Sequence, residues 1–239
     1  MAAMALQDLL SLSGHCVVLM PSDASARQCR DRIARLRGSH DQAFIETVTV
    51  VPVDQWLAEL WDATFPSKQV LRPIQLLALA RDIIESSDFY PENCLNSMAI
   101  TRQFVDAFQL HAEYQLSDDE DYYRFSTEYQ AFYRWRQQMQ QQLDTQSALS
   151  GQQLPAHLGE LLDESGLDLP DHIVLHEGLD LSPAVHAFIY RCAEKTSVST
   201  LAEILTAELP PRFSAAQQIE QECQAVAAWL RDKFAAEAK

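Results

Sequence analysis

The sequence predicts an α/β fold, in which a parallel sheet of about four strands with flanking helices carries a large all-α insertion. Three observations support this class. Apolar runs of strand length alternate with amphipathic segments before residue 66 and again after residue 167. The residues between those two parts show only helical periodicity. Glycine is scarce, with 6 Gly against 10 Pro, and this favours helices joined by short connections.

The first part of the chain has the pattern of a β-α-β-α unit. Its predicted elements are a strand at 15–20, a helix at 24–37, a strand at 44–51 and a helix at 53–65. Ser22 or Asp23 can cap the first helix, and Gly38 can end it. Trp56 and Trp61 fall on the inward face of the second helix. Such an alternation is typical of a parallel sheet that is buried on both faces.

The alternation stops after residue 66 and resumes after residue 166. The predicted elements of the intervening insertion are helices at 74–86, 95–114, 122–143 and around 158–162. The sheet pattern then returns with a strand at 170–176, a helix at 183–194, a weaker fourth strand at 197–201 and a last helix at 214–238. We therefore predict an α/β core from residues 1–66 and 167–239, and a helical insertion subdomain at 67–166.

Charge and composition exclude several classes of protein. The chain has 18 Lys and Arg against 34 Asp and Glu, a formal net charge of −16, which repels nucleic acid and anionic membrane. Any nucleic-acid role must therefore use a local patch or a partner subunit. We find no membrane span and no secretory signal, and so predict a cytoplasmic protein with no membrane partner. The 5 cysteines are an odd number without a CxxC pair, which indicates reduced thiols and no zinc site.

The loop after the first strand is unlike a phosphate-binding loop. Ligands of open α/β sheets bind at the carboxyl ends of strands, where a nucleotide needs glycines and a Lys followed by Ser or Thr. Here the loop carries Pro21, Ser22, Asp23 and Ser25 and no glycine. Pro21 lacks a backbone donor, and Asp23 places negative charge where a triphosphate would lie. We predict no ATP binding of the usual kind, and no cofactor.

The segment after the third strand resembles the Walker B segment of superfamily 1 helicases. Those helicases typically have Val-Asp-Glu-Phe-Gln-Asp-x-x-Pro, and residues 175–183 here are Leu-His-Glu-Gly-Leu-Asp-Leu-Ser-Pro. By this resemblance His176 stands at the magnesium-binding Asp, Glu177 retains the catalytic Glu, and Asp180 also matches. A neutral imidazole is a poor ligand for magnesium, so the resemblance implies a degenerate P-loop NTPase site with no metal.

Further segments resemble the inactivated, helicase-like amino-terminal domain of AddB-type proteins and of related DNA repair proteins with a PD-(D/E)XK nuclease domain. These segments are Val-Leu-Met-Pro-Ser at 18–22, Leu-Ala-Glu-Leu-Trp at 57–61 and Gln-Gln-Ile-Glu-Gln-Glu-Cys at 217–223. Thr-Val-Val-Pro-Val-Asp-Gln-Trp-Leu at 49–57 resembles the segment after the second strand of superfamily 1 helicases. The resemblance implies a non-catalytic scaffold that docks against a helicase motor subunit or a downstream nuclease domain and guides single-stranded DNA.

Candidate DNA contacts are Arg27 and Arg30 on the first helix and Gln55 and Trp56 in the segment after the second strand. The first helix concentrates arginines in an acidic protein, which suits a phosphate backbone. The competing interpretation is an ordinary solvated face, because the arginines spread around every side of the helix that the apolar residues leave open.

An aromatic segment in the insertion also has two interpretations. Tyrosine, phenylalanine and tryptophan lie among arginines at 122–136, a mixture that can stack unpaired bases and neutralise phosphates. Phe125, Tyr129, Phe132 and Arg136 fall at helical spacing, which instead favours an aromatic core. The neighbouring acidic run at 117–121 predicts a charged cluster on the surface.

Other catalytic motifs are absent from the sequence. His172 and His176 lie on a predicted strand, where they are too far apart to share a zinc ion. Pro170 and Asp171 are not followed by the remainder of a nuclease motif, and no nucleophile elbow occurs. We therefore expect no enzymatic activity from this chain. The alternative function is a soluble α/β protein-interaction module unrelated to DNA; a nucleotide-dependent enzyme is the third option.

Overall fold

The computed structural model of the chain describes residues 3–38, 48–89, 96–164 and 166–201. Met1–Ala202 form one compact unit, so the predicted boundaries at 66 and 166 do not separate compact units. The helix predicted at 214–238 lies outside the described residues. The first residues of the strand predicted at 44–51 lie outside them as well.

Within the described residues, one all-parallel sheet forms the centre of the fold. The strands are β1 (Ala3–Met4), β2 (Cys16–Met20), β3 (Val48–Pro52), β4 (Gln69–Val70), β5 (Ala148–Leu149), β6 (His172–His176) and β7 (Ser197–Leu201). The large sheet has the order β1-β7-β6-β2-β3, and β4 and β5 form a separate parallel pair. The predicted α/β class and the predicted parallel sheet are confirmed; the two-residue edge strand β1 was not predicted.

The helices connect these strands. They are α1 (Leu6–Leu9), α2 (Asp23–Gly38), α3 (Val53–Ala63), α4 (Pro73–Glu85), α5 (Ser97–Glu113), α6 (Thr127–Thr145), α7 (Leu154–Asp163) and α8 (Pro183–Cys192). Ser182 caps α8 by accepting a hydrogen bond from the Val185 amide, and Pro183 occupies its first turn. Among the described residues, no helix is long and apolar enough to cross a bilayer.

One face of the sheet packs on three helices. Val17, Leu19 and Ile173 alternate with residues of the opposite face and join a core with α3, α7 and α8. In this core the Trp56 ring lies 5.9 Å from the ring of Phe188 on α8. Burying each such side chain contributes roughly 1.5–3 kcal/mol. Sheet and helices therefore form one continuous apolar layer.

The helices α4, α5 and α6 pack around a second core. Ile84, Phe104, Trp135 and Met139 are among its buried residues. The predicted insertion does not lie wholly in this core, because Leu158 on α7 packs with the sheet. The end of the segment predicted as an insertion, from β5 through α7, therefore belongs by packing to the α/β core.

Several elements of the insertion differ from the prediction. The helix predicted at 122–143 begins at Thr127, because Ser126 has extended backbone angles and accepts a hydrogen bond from the Tyr129 amide. The residues before it form a 3₁₀ turn, Glu120–Tyr123. The short helix predicted around 158–162 begins at Leu154. The pair β4–β5 was not predicted, because two residues are too few to show alternation.

Candidate functional site

The carboxyl ends of β2 and β6 form the switch point of the sheet. From β2 the chain continues through α2 to β3 on one side, and from β6 it continues through α8 to β7 on the other. Leu19 pairs with Leu175, and the same register continued by one residue sets Met20 beside His176. The two loops that follow, residues 21–25 and 176–180, therefore lie at one edge, where open α/β sheets bind ligands. We call these two loops the switch edge.

The first loop of the switch edge is a helix cap. Ser22 Oγ accepts a hydrogen bond from the Ser25 amide at 3.2 Å and lies 2.9 Å from Ser25 Oγ. Pro21, Ser22 and Asp23 are exposed, and Asp23 places its carboxylate in the first turn of α2. The positive end of the helix is thus compensated by a side chain of the protein itself. The loop offers neither a lysine nor a glycine to a phosphate group.

The second loop is a tight turn built on His176. Its half-buried ring accepts a hydrogen bond at Nδ1 from the Gly178 amide, at 3.0 Å, and its carbonyl accepts one from the Leu179 amide. This hydrogen bond occupies the lone pair of Nδ1, so Nδ1 is not free to bind a metal ion while the turn is formed. At Gly178 a Cβ would lie 3.3 Å from the imidazole, so glycine lets the ring lie close to the turn.

The carboxylates of the switch edge remain available to solvent. Glu177 and Asp180 are both exposed, and the Glu177 amide donates to the Leu201 carbonyl at 3.2 Å. The structure therefore brings these residues to the same edge as Ser22 and Asp23. Among the described residues there is no group of three His, Cys, Asp or Glu side chains arranged to hold a metal ion. The edge has the position of a nucleotide site without the donors that such a site needs.

The predicted DNA contacts are not equivalent in the structure. Arg27 and Arg30 are exposed on α2, and Arg27 Nε donates to the Asp23 carbonyl at 3.4 Å. Gln55 is exposed and donates through Nε2 to Glu59 at 2.7 Å. Trp56 is only 3% exposed, because its indole packs in the core against α8. The assignment of Trp56 as a DNA contact was therefore wrong, since the ring cannot reach a base without leaving the core.

The aromatic segment of the insertion combines features of both interpretations. Phe125 and Tyr129 are 82% and 56% exposed, so the predicted core stripe was wrong at these two positions. The buried face of α6 instead follows Ala131, Trp135 and Met139. The helix begins at Thr127, five residues later than predicted, so Phe125 lies before it.

The acidic run of the insertion pairs with arginines of the same segment. Asp118 contacts Arg136, Glu120 lies 3.7 Å from Arg134, and Asp121 lies 2.9 Å from Arg124. Asp119 does not take part in these pairs and accepts a hydrogen bond from the Asp121 amide at the start of the 3₁₀ turn. The arginines that were expected to neutralise phosphates are thus neutralised within the chain.

A buried histidine lies beside this charged cluster. His111 Nε2 is 3.5 Å from Asp118 and 3.4 Å from the Ser117 carbonyl. Burial lowers the pKa of His111, and the neighbouring Arg136 lowers it further, against the opposing effects of Ser117 and Asp118. The ring is therefore kept neutral near its ordinary titration range. Its surroundings are those of a structural histidine.

The cysteines resolved in the described residues are buried thiols. Cys16, Cys29 and Cys192 are free, as predicted, while Cys94 and Cys223 lie outside the described residues. Desolvation raises the pKa of Cys16 and Cys29 to about 11 and that of Cys192 to about 12. Such thiols are poor nucleophiles and poor metal ligands.

The remaining candidate residues have structural roles. Asp171 Oδ2 accepts a hydrogen bond from the His15 amide at 2.8 Å and lies against Gly14, whose φ of 92° favours glycine. His172 and His176 occupy opposite ends of β6, which confirms the predicted strand and excludes a shared metal ion. Asp171 therefore clamps a turn next to β2.

Sequence analysis missed a groove in the insertion. A cavity of about 480 Å³ lies between α5 and α6, lined by Ile100, Phe104, Phe132, Trp135 and others. The helical periodicity marked these side chains as inward, and that was the only available signal. Periodicity identifies the inward-facing residues of a helix, but it does not give the distance between two helices. That distance determines whether a cavity remains between them.

Comparison with known proteins adds no relative. No protein-family model matches this chain, and a search of the curated proteins finds no match.

Proposed function

We propose that this chain is a non-catalytic, helicase-like scaffold of a DNA repair or recombination helicase-nuclease subunit of the AddB type. In this role it docks against a motor subunit or a nuclease domain and guides single-stranded DNA. The α/β unit supplies the architecture, and ATP hydrolysis belongs to the partner.

The observation that carries this proposal is the switch edge. The segment that resembles the helicase Walker B motif lies beside the loop that follows β2, at the edge where open α/β sheets bind ligands. Their functional groups are engaged in local structure, Ser22 as a cap and His176 as a turn acceptor. A site that keeps its place while its donors are replaced fits a motor domain that has lost hydrolysis and kept its shape.

The guidance of DNA rests on Arg27 and Arg30. Both side chains are exposed on α2, the helix that begins at the switch edge. Because the chain carries a net charge of −16, two arginines give weak, salt-sensitive binding to a phosphate backbone. Gln55, exposed on α3, can add a hydrogen bond when it leaves Glu59.

Nucleotide binding provides the first test. The full chain is titrated with fluorescent trinitrophenyl-ATP and Mg²⁺, with Glu177→Gln as the comparison variant. We expect no saturable binding in either protein, because the loop lacks phosphate donors. Binding to the wild-type chain that Glu177→Gln abolishes would show a working site and refute the scaffold.

DNA binding provides the second test. Labelled oligothymidylate is titrated into the full chain at about 50 mM and about 200 mM salt, and we expect weak binding at the lower concentration only. The double variant Arg27→Gln/Arg30→Gln should bind at least several-fold more weakly. The matched control is Arg81→Gln/Arg102→Gln, which removes the same charge from exposed positions on α4 and α5.

The control separates local contact from bulk charge. Equal loss in both double variants would mean that net charge alone sets the affinity and that α2 does not guide the strand. No binding at either salt concentration would contradict DNA guidance and favour the alternative, an interaction module unrelated to DNA.

A further inference from the structure

Three large aromatic side chains are exposed at the start of α6. Tyr122, Phe125 and Tyr129 are 65%, 82% and 56% exposed, and all three lie within residues 122–129. Single exposed apolar residues are common on protein surfaces and need no explanation. Exposed apolar residues that are grouped instead mark places where another molecule binds. The start of α6 is therefore a candidate interaction surface.

The backbone that carries these rings is held by its neighbours. The Asp119 carboxylate accepts a hydrogen bond from the Asp121 amide at 3.0 Å, and Ser126 caps α6. Between these two points, the ring of Tyr123 lies 5.2 Å from the ring of Tyr133 on α6. A surface that is ordered before binding loses less conformational entropy when a partner docks. The exposed rings are thus attached to a backbone that is already in place.

The arginines of the same segment are occupied by its acidic residues. Arg124, Arg134 and Arg136 each form an ion pair with a residue of 118–121. A single-stranded nucleic acid that stacked its bases on the rings would need such cations for its phosphates. Because the three guanidinium groups are already paired, the exposed rings are poorly suited to a polyanion.

Two carboxylates of the segment remain for a partner. Asp119 and Glu128 are exposed, and neither forms an ion pair with another described residue. A hydrogen bond from the Ser126 hydroxyl lowers the pKa of Glu128, so this carboxylate is ionised at neutral pH. The chain as a whole has a net charge of −16. The charge therefore attracts a cationic partner and repels nucleic acid.

A guanidinium group is the cation that fits this combination of side chains. It stacks on the face of a Tyr or Phe ring and donates hydrogen bonds to carboxylates, whereas the compact ammonium of lysine stacks less well. The protein contains one such arrangement within itself. The Arg136 guanidinium lies 5.6 Å from the centroid of the Tyr133 ring and pairs with Asp118. An arginine of a partner would repeat this arrangement on the exposed rings.

We infer that the start of α6 is a docking surface for an arginine-bearing segment of a partner protein. This α6 entry surface is formed by Asp119, Tyr122, Phe125, Glu128 and Tyr129. Its rings stack on the guanidinium groups of the partner, and its carboxylates pair with them. The surface includes neither the switch edge nor α2, so its test does not depend on the proposed DNA function.

Two labelled peptides test the surface in the full chain. One peptide alternates arginine with glycine, and the other has lysine in place of every arginine. Fluorescence anisotropy measures their binding at about 150 mM salt, where long-range attraction to the acidic chain is screened. We expect saturable binding of the arginine peptide and binding of the lysine peptide that is several-fold weaker.

A pair of double variants separates the rings from the bulk charge. Tyr122→Ala/Phe125→Ala keeps the net charge and should weaken binding of the arginine peptide about 5- to 30-fold, the loss expected for two exposed cation–π contacts. The matched control is Tyr190→Ala/Phe65→Ala, which removes the same residue types from positions that are 69% and 93% exposed. This control should leave the affinity unchanged.

A second pair of double variants tests the carboxylates. Asp119→Asn/Glu128→Gln should weaken binding of the arginine peptide about 2- to 5-fold. Asparagine can still accept the hydrogen bond at the start of the 3₁₀ turn, so the backbone should be preserved. The matched control is Asp62→Asn/Glu85→Gln, which removes the same charge from exposed positions on α3 and α4 and should have a smaller effect.

Several outcomes would overturn the inference. These are no saturable binding of the arginine peptide, equal affinity for the two peptides, and an equal loss in either double variant and its matched control. Labelled oligothymidylate provides the last comparison. If Tyr122→Ala/Phe125→Ala weakens binding of the oligothymidylate and not that of the peptide, the rings stack bases and the surface binds DNA. All substituted side chains are exposed, and far-UV circular dichroism checks that each variant is folded.

Discussion

The switch edge and the α5/α6 groove differ in where their polar groups find partners. At the edge, Ser22 Oγ caps α2 and His176 Nδ1 accepts from Gly178, so the chain uses its own donors and acceptors. In the groove, the Trp135 N–H is buried and unpaired within the described residues. The edge lies where open α/β sheets place ligands, whereas the unpaired indole donor is buried in the second core.

This difference shows that a site's place in a fold and its chemistry are separate properties. Parallel strands bring loops together at a switch point whatever residues those loops carry. Ligand binding requires donors and acceptors that have no partner before the ligand binds. At the switch edge, Ser22 and His176 already have partners within the chain. Predictions that alter buried or capping groups in the two regions test this contrast.

The largest effect is expected for Trp56→Ala in the sheet-side core. The side chain is 3% exposed and packs against Phe188, so we expect a loss of about 3–5 kcal/mol in the free energy of unfolding. Urea denaturation measures it, with the exposed neighbour Gln55→Ala as control, which should change stability by less than about 0.5 kcal/mol. A cost below about 1 kcal/mol would mean that the indole lies outside the core and would restore it as a DNA contact.

A smaller effect is expected for Ser22→Ala at the switch edge. Loss of the cap leaves the Ser25 amide without its acceptor, so we expect about 1 kcal/mol of destabilisation, within a range of about 0.5–2 kcal/mol. The conservative comparison is Ser22→Asn, which can cap the helix and should retain most of the stability. If alanine and asparagine behave alike in thermal denaturation, the hydroxyl is not occupied by capping and is free to bind a ligand.

The smallest effect is expected in a comparison of Trp61 and Trp135. Trp61 Nε1 donates to the Lys68 carbonyl at 3.1 Å, whereas Trp135 Nε1 has no partner within the described residues. Phenylalanine removes the N–H in both cases, so Trp61→Phe should cost about 1 kcal/mol more than Trp135→Phe in the free energy of unfolding. Equal costs would show that the Trp135 donor is satisfied in solution.

Much of the fold follows from patterns that are local in the chain. The apolar run of β2 and the alternation on both sides of it predict parallel strands, and β7 has the bounds that were predicted, Ser197–Leu201. The start of α6 was misplaced, because Ser126 interrupts an aromatic segment whose periodicity continues across it. The strands β1, β4 and β5 were missed because each has two residues and depends on pairing with a distant segment.

The candidate site was only half predictable. The absence of glycine after β2 and the presence of His176 are sequence facts, and they lead directly to a loop without phosphate donors. Exposure is different, because Gln55 and Trp56 are neighbours in sequence, and one is exposed while the other is buried. The face of the helix on which a residue lies determines its exposure. The DNA contacts were assigned from the resemblance to a helicase segment, without regard to helix face.

The sequence by itself determined the order of the longer strands and helices and the lack of phosphate-binding residues, because these depend on propensity and residue type over a few neighbouring positions. Only the tertiary structure decided that the two loops share an edge, that α7 joins the α/β core, and that α5 and α6 leave a groove with an unpaired indole. Those features arise from register and helix spacing between segments far apart in the chain, and no local pattern encodes such distances.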